Sequence, residues 1–275
     1  MMFKADLHCH TTFSDGTLTP QELMQLAKNV GLSALSITDH DTLGAYAQAP
    51  QEAKKLGLIL GTGVELSCQF KDASIHILGY DYSLESEELR TFCEKHHRRR
   101  ELRNQKILEK LSRLGMQITQ DELVSTFGID STIGRPHIAK LMTEKGYVIS
   151  PKEAFNLYIG DDKCCFDSGV AFSVEETIQV IHQADGKAFL AHPHLLSNFK
   201  SLKTLLDQAF DGIECHYARC SPEQEKRWLK IAKHRGWLMS GGSDFHGDSK
   251  AYVRLGCSWV SEEVFHQIFQ KHVFL

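Results

Sequence analysis

Residues 3–10 read FKADLHCH, and this run decides how the rest of the chain is read. It reads as a strand, on which side chains two apart share a face. His8 and His10 therefore project together, while Cys9 turns to the other face, toward a core. Asp15 follows in the loop. The same chemistry recurs at later strand ends. ALSITDH runs into Thr38-Asp39-His40-Asp41, LILGTGVELSC reaches Glu65, and His76 begins IHILGYDY. KAFLAHP closes on Ala191-His192-Pro193, and WLMSGGSDFH closes on Ser243-Asp244-Phe245-His246 with the same period-two spacing.

Amphipathic segments separate these strands. LTPQELMQLAKNVG is a helix opened by Thr19-Pro20 and closed by Gly31, and APQEAKKLG is the core of another. Strand-helix alternation of this kind implies parallel pairing with helices covering the sheet, an α/β fold. From about residue 86 the pattern turns helical, with SEELRTFCEKHHRRRELRNQKILEKLSRLG, ITQDELVSTFG, GRPHIAKLMTEKG and SPKEAFNLYIG in succession. Alternation then returns. The expected organisation is a barrel-like α/β core in two parts, residues 1–85 and 168–275, interrupted by a helical insertion at 86–167.

In parallel α/β folds, sites form where strand C-termini converge. Six histidines (8, 10, 40, 76, 192 and 246) and three carboxylates (15, 65 and 244) gather there in the pattern, without a thiolate. That donor set suits Mn, Fe or Zn. It exceeds what one ion uses, so two or three divalent metal ions are expected, with Glu65 as a bridging carboxylate. Paired ions are the arrangement that clamps the attacking and leaving oxygens in phosphoryl hydrolysis. Asp39 and Asp41 flank His40, where one of them orients an imidazole or both serve the turn. His96, His97, His182, His216, His234, His266 and His272 read as surface or packing residues.

The chain of 275 residues is 42% hydrophobic and 24% charged, with a net charge of −4. This excludes disordered and collagen-like classes, and no run approaches the ~20 apolar residues of a membrane helix. Eight cysteines without a CxxC pair indicate free thiols rather than a zinc knuckle. With no apolar leader in the opening MMFKADLHCH, a cytoplasmic location is expected. Gly61-x-Gly63 lacks the third glycine of a dinucleotide fingerprint, and no GxSxG nucleophile elbow occurs.

The ordered set HxH, Asp15, TDHD, Gly-x-Glu, AHP and GSDFH resembles the PHP (polymerase and histidinol phosphatase) superfamily. The resemblance implies a distorted (β/α)7 barrel with an inserted small helical cap domain and a di- or trinuclear metal centre. His8, His10, Glu65 and Asp244 would hold one ion; Glu65, His76 and His192 a second; Asp15, His40 and His246 a third. The segment Gly134-Arg135-Pro136-His137-Ile138-Ala139 is similar to the subgroup of ribonuclease AM and the 3',5'-nucleoside bisphosphate phosphatases. That likeness implies removal of a 5'-phosphate from nucleoside bisphosphates, or 5' to 3' trimming of 5'-phosphorylated oligoribonucleotides, by metal-activated hydroxide.

Arg135 stands beside a helix start, where free backbone N–H groups favour an anion, and its guanidinium grips phosphate bidentately. Arg135, His137 and His194 are therefore the substrate-binding candidates; AHP is followed by His194-Leu195-Leu196, where related sequences often carry an Arg near the second position. Glu65, Asp244, His246 and Arg135 are the catalytic candidates, with Asp244 or His246 relaying a proton to the leaving oxygen. From Arg90 to Arg113 nine Lys or Arg stand against three Glu, a local charge of +6 that would attract a polyanion. The expected partner is thus a phosphorylated nucleotide or short 5'-phosphorylated RNA, with neither membrane nor obligate protein partner. A histidinol-phosphate phosphatase is the alternative enzyme, against which the basic insert argues. A non-catalytic metal-binding module is the alternative of another class, against which the complete set of nine donors argues.

Overall fold

The computed structural model describes residues 2–71, 73–196 and 200–275. In chain order the elements are β1 (Ala5–Cys9), α1 (Pro20–Asn29), β2 (Ala34–Ile37), α2 (Ala49–Leu56), β3 (Ile59–Gly61), β4 (Gly63–Phe70), β5 (Ala73–Tyr80) and α3 (Glu87–Arg113). Then come α4 (Gln120–Phe127), α5 (Arg135–Glu144), α6 (Pro151–Ala154), α7 (Val174–Gln183), β6 (Lys187–Leu190) and α8 (Leu202–Leu206). The chain finishes with β7 (Gly212–Tyr217), α9 (Pro222–Arg235), β8 (Leu238–Gly242), α10 (Glu262–Ile268) and β9 (Val273–Phe274). Met1–Cys93 and Phe172–Leu275 form one compact unit, and Glu94–Ala171 form another.

Local chemistry accounts for the helix boundaries. Thr19 caps α1 through a reciprocal box with Glu22, Pro20 occupies the first turn, and Leu23, Met24 and Ala27 are buried one turn apart. Ser221 and Gln224 build the same box on α9, which ends at Gly236 in the left-handed conformation (φ 66°). In the second unit Thr119 and Glu122 cap α4, and Ile107, Leu111, Leu123, Ile138, Met142 and Ile159 form the core. No strand occurs among the described residues of that unit.

The first unit is a mixed α/β fold with two sheets that do not close on each other. One has the order β1-β2-β3-β9 and the other β4-β5-β6-β7-β8. β1-β2, β2-β3, β6-β7 and β7-β8 are parallel, as strand-helix alternation predicts. The expectation of uniform parallel pairing fails at β4-β5, β5-β6 and β3-β9, which are antiparallel. Only two residues separate Phe70 from Ala73, too few for the crossover that a parallel pair requires. LILGTGVELSC is likewise two strands rather than one. It breaks at Thr62, whose hydroxyl donates to the Tyr82 carbonyl and accepts from the Tyr82 N–H, both at 3.0 Å.

Single bridges link the two sheets, His40 to Glu65 on one side and Cys9 to Phe245 on the other. At the second junction Gly242 lies so close to β1 that a Cβ would sit 2.4 Å from the His8 backbone nitrogen. The buried Asp6 carboxylate accepts from the N–H groups of Ser243 (2.9 Å) and Gly256 (2.8 Å), tying the two ends of the chain together.

Asp81, just past β5, makes a comparable tie. It accepts from Lys187 Nζ at 2.8 Å and from the backbone N–H groups of Gln270, Lys271 and His272 at 3.1, 3.0 and 2.8 Å. Burial works to raise its pKa, but the bonds from His272, Lys187, Gln270 and Lys271 hold it below the ordinary aspartate value. A carboxyl depressed in the folded state stabilises the fold above its unfolded pKa of about 3.9 and loses that contribution as pH falls through its folded pKa. Asp81→Asn should therefore lower stability by about 1–3 kcal/mol at pH 7, with the gap narrowing below about pH 4. Urea unfolding at both pH values checks this, and equal stability of the two proteins at pH 7 would refute it.

Candidate metal centre

Seven strands or their C-terminal loops deliver side chains to one place. β1 carries His8 and runs into His10, β2 runs into His40, β4 carries Glu65, β5 carries His76, β6 runs into His192, β7 carries Glu214, and β8 runs into Asp244 and His246. Glu65 is at the centre. Its Oε2 lies 3.1 Å from Nε2 of His8, 3.1 Å from Nε2 of His10 and 3.3 Å from Nδ1 of His40. Its Oε1 lies 2.8 Å from His76 Nδ1 and 2.9 Å from His192 Nε2. Asp244 Oδ1 is 3.3 Å from Nε2 of both His8 and His10. Asp15 Oδ1 is 3.2 Å from His246 Nε2 and 3.9 Å from ring nitrogens of His10 and His40.

Three overlapping donor groups emerge, each with its ligand atoms within 4.8 Å of one another: His8, His10, Glu65 and Asp244; His10, Asp15, His40 and His246; and His40, Glu65 and His76. His10 Nε2, His40 Nδ1 and Asp15 Oδ1 are buried without a hydrogen bond among the described residues. Neutral rings that turn lone pairs toward carboxylate oxygens repel them, and a divalent cation between the two converts that repulsion into ligation. The residues present therefore fit such ions. The nine donors named from the sequence all lie in this cluster, with His192 joined to it through Glu65. Cys9 lies on the opposite face of β1, its thiol donating to the Ser36 carbonyl at 3.2 Å.

Burial and charge oppose each other throughout. Burial pushes Glu65 up, yet His40, His8 and His76 hold it well below the usual carboxylate range. Burial also opposes ionisation of Asp244, which Lys250, His8 and His246 keep well below its ordinary value. His8 is raised because Glu214, Glu65 and Asp244 outweigh the desolvation that would lower it. His40 goes the other way, down to about 3, because desolvation dominates over Glu65 and Asp15.

A surrounding layer fixes these donors. Glu214 accepts from His8 Nδ1 at 2.8 Å through Oε1 and from the His192 backbone N–H at 2.6 Å through Oε2. With Nδ1 donating, His8 presents Nε2 to the centre. Asp39 accepts from the Thr11 N–H (2.7 Å), the Thr11 hydroxyl (2.5 Å) and the Ser14 hydroxyl (2.6 Å), and Asp41 accepts from the Ser67 N–H (2.7 Å). These two carboxylates thus organise loops. Asp41, His192 and Asp244 hold left-handed backbone (φ 56°, 28° and 56°), strain typical of functional sites.

The phosphate-binding candidates fall in different units. In the second, Arg135 Nη1 bonds Asp161 Oδ1 at 2.6 Å and its guanidinium lies 5.1 Å from the Phe166 ring centre. His137 Nδ1 accepts from the Gly134 N–H at 3.0 Å, closing the N-terminus of α5. In the first, the His194 ring packs against Tyr217, centres 4.4 Å apart. Among the histidines set aside, His216 pairs with Glu225 at 3.2 Å and His182 with Asp211 at 2.7 Å. Sequence reasoning missed Glu214, Tyr217 and Lys250. An acid inside the apolar run GIEC was a readable sign for Glu214; Tyr217 and Lys250 carried none.

Comparison with known proteins supports the same fold and class of chemistry. The PHP domain family matches residues 6–157. A 5'-3' exoribonuclease of Haemophilus influenzae is 31% identical over 94% of this chain and 93% of its own. A 3',5'-nucleoside bisphosphate phosphatase of Chromobacterium violaceum is 29% identical over 89% and 88%. A solved structure from Bifidobacterium adolescentis, described as a candidate metal-dependent phosphoesterase, superposes with a TM-score of 0.89 at 30% identity, covering 97% of this chain and 95% of that one. Fold, donor cluster and likeness together define a metal-dependent hydrolase of phosphoester bonds. The chain belongs to the PHP domain family.

Two substitutions test the centre. Glu65→Gln should keep its far-UV dichroism but lose tight divalent binding and nearly all turnover; full activity in this variant would remove Glu65 from the site. Glu214→Gln, which touches no reacting group, should weaken Mn²⁺ binding about 10–100-fold by loosening His8. Calorimetric titration of the metal-stripped protein reads that change.

Proposed function

We propose that this enzyme removes the 5'-phosphate of 3',5'-nucleoside bisphosphates and trims 5'-phosphorylated oligoribonucleotides from the 5' end. The observation that carries the reading is the sharing of Glu65, His10 and His40 among three donor groups. It supports a reading in which two or three ions, of Mn, Fe or Zn, would share these donors beside one reacting phosphate. His8, His10, Glu65 and Asp244 would hold the first, Glu65 with His76 and His192 the second, and Asp15, His40 and His246 the third. When bound, such ions supply Lewis acidity toward phosphoryl oxygens and make hydroxide available near neutral pH.

The chain's own residues set the geometry. Glu65 spans the site with both oxygens, so it fixes the donor groups relative to each other. His246 donates from Nδ1 to the Asp244 carbonyl at 2.9 Å, which leaves Nε2 toward Asp15. That favours ligation over proton relay for His246, and Asp244, with both oxygens engaged, is likewise better suited to ligation than to relay. Arg135 with His137, and separately His194, are assigned to the substrate. We read the two sheets as a distorted (β/α)7 barrel built from residues 1–85 and 168–275, and 86–167 as its helical cap. Eight free thiols fit work in the reducing cytoplasm.

The substrate class rests on the names of the relatives, an exoribonuclease and a bisphosphate phosphatase. Mn²⁺-loaded enzyme should release phosphate from adenosine 3',5'-bisphosphate and stepwise mononucleotides from a 5'-phosphorylated RNA. Product analysis over time checks both. Faster release from histidinol phosphate than from either would replace this reading with a small-substrate phosphomonoesterase.

A further inference from the structure

Lys250 ends the short turn after His246, and its Nζ lies 2.6 Å from Asp244 Oδ2. Among the described residues it is the one Lys or Arg that ion-pairs with a member of the donor cluster. The Tyr217 hydroxyl donates to the same oxygen at 2.7 Å, and the Asp244 N–H is anchored on the His8 carbonyl at 2.8 Å. Asp244 is therefore already oriented without the lysine. An ammonium on a ligand carboxylate also competes with the ion for the same charge, so as a support for ligation Lys250 is redundant and mildly harmful. Its value must lie elsewhere. An ammonium has three donors, and the Asp244 bond is the one hydrogen bond the Lys250 ammonium makes among the described residues. Its side chain is 31% exposed, and the other two ammonium donors have no hydrogen-bond partner among the described residues.

We propose that Lys250 is a phosphate-binding residue, donating from its ammonium to a non-bridging oxygen of the phosphoryl group under attack. This rests on the phosphoester reading above. Asp244 divides its labour: Oδ1 faces His8 and His10 in the donor cluster, and Oδ2 holds the lysine one carboxylate away. With ions held in the donor cluster, a phosphate in front of that carboxylate would have cationic charge on both sides, which favours a dianion that leaves water. Lysine suits the task because its charge is compact and its donors rotate as the phosphoryl group changes shape.

Inorganic phosphate is the probe. It is titrated calorimetrically into Mn²⁺-saturated wild type, Lys250→Met and Lys250→Arg, with far-UV dichroism verifying the fold. Lys250→Met should bind phosphate about 10–100-fold more weakly, the loss expected for one charge-assisted bond. Lys250→Arg, which keeps charge and donors, should retain most of the affinity. Mn²⁺ binding to Lys250→Met should be equal to wild type or tighter, since Asp244 loses a competing cation. Unchanged phosphate affinity overturns the proposal, as does weakened Mn²⁺ binding, which would make Lys250 a positioning residue for Asp244. If wild type binds phosphate yet hydrolyses no phosphoester, the functional reading fails while the binding result for Lys250 still stands.

Discussion

One buried carboxylate faces five imidazoles, and the first unit is organised around that fact. Glu65 is 1% exposed, yet ring nitrogens from β1, β5 and the ends of β2 and β6 lie within 3.3 Å of its two oxygens. A lone carboxylate so placed would protonate rather than ionise. The rings reverse that balance, and the ions the cluster fits would complete the reversal. The same residue also bridges the two sheets through its pairing with His40. Joining the sheets and building the site are thus one structural event, so a disturbance of either reaches the other.

The donors are held by charge behind charge. Glu214 serves His8 and the backbone of His192 at once, so two donors from different strands move together. Asp39 collects three bonds from the loop between His10 and Asp15, which sets where Asp15 can reach. Left-handed backbone at Asp41, His192 and Asp244 turns the chain sharply just where the strands end. Each of these arrangements costs free energy taken alone, about 1–3 kcal/mol for a strained residue. They persist because apolar cores on either side, such as Leu7, Leu78 and Phe189, over-determine the strands.

Much of this was legible because ligand spacing is local. His8 and His10, or Asp244 and His246, share a strand face by period two, and the strand-end positions of His40 and His192 follow from the apolar runs before them. The runs LILGTGVELSC and IHILGYDY stand six residues apart in the sequence, a gap short enough for a hairpin, but strand-helix alternation elsewhere pointed to parallel pairing. The hidden parts are those set by distance in space. Glu214, Tyr217 and Lys250 each act on a residue at least 6 positions away; the acid within GIEC was a local sign for Glu214, and nothing in the neighbourhoods of Tyr217 and Lys250 announces theirs. The antiparallel β9 is two residues long, below the length at which alternation has meaning.

The tie between Asp6 and Ser243 joins residues 237 positions apart, and β1 lies beside β8. On a ribosome adding about 5–20 residues each second, the first histidines wait roughly 12–50 s for the aspartate they face. A half-made chain carries an incomplete donor set, with Asp244 and His246 among the last residues supplied. His40, Glu65 and His76 are all present by residue 76, but the other two donor groups are complete only once Asp244 and His246 have been made. The order of synthesis thus makes β8 and its loop the last contributors to a site whose other donors are already in the chain.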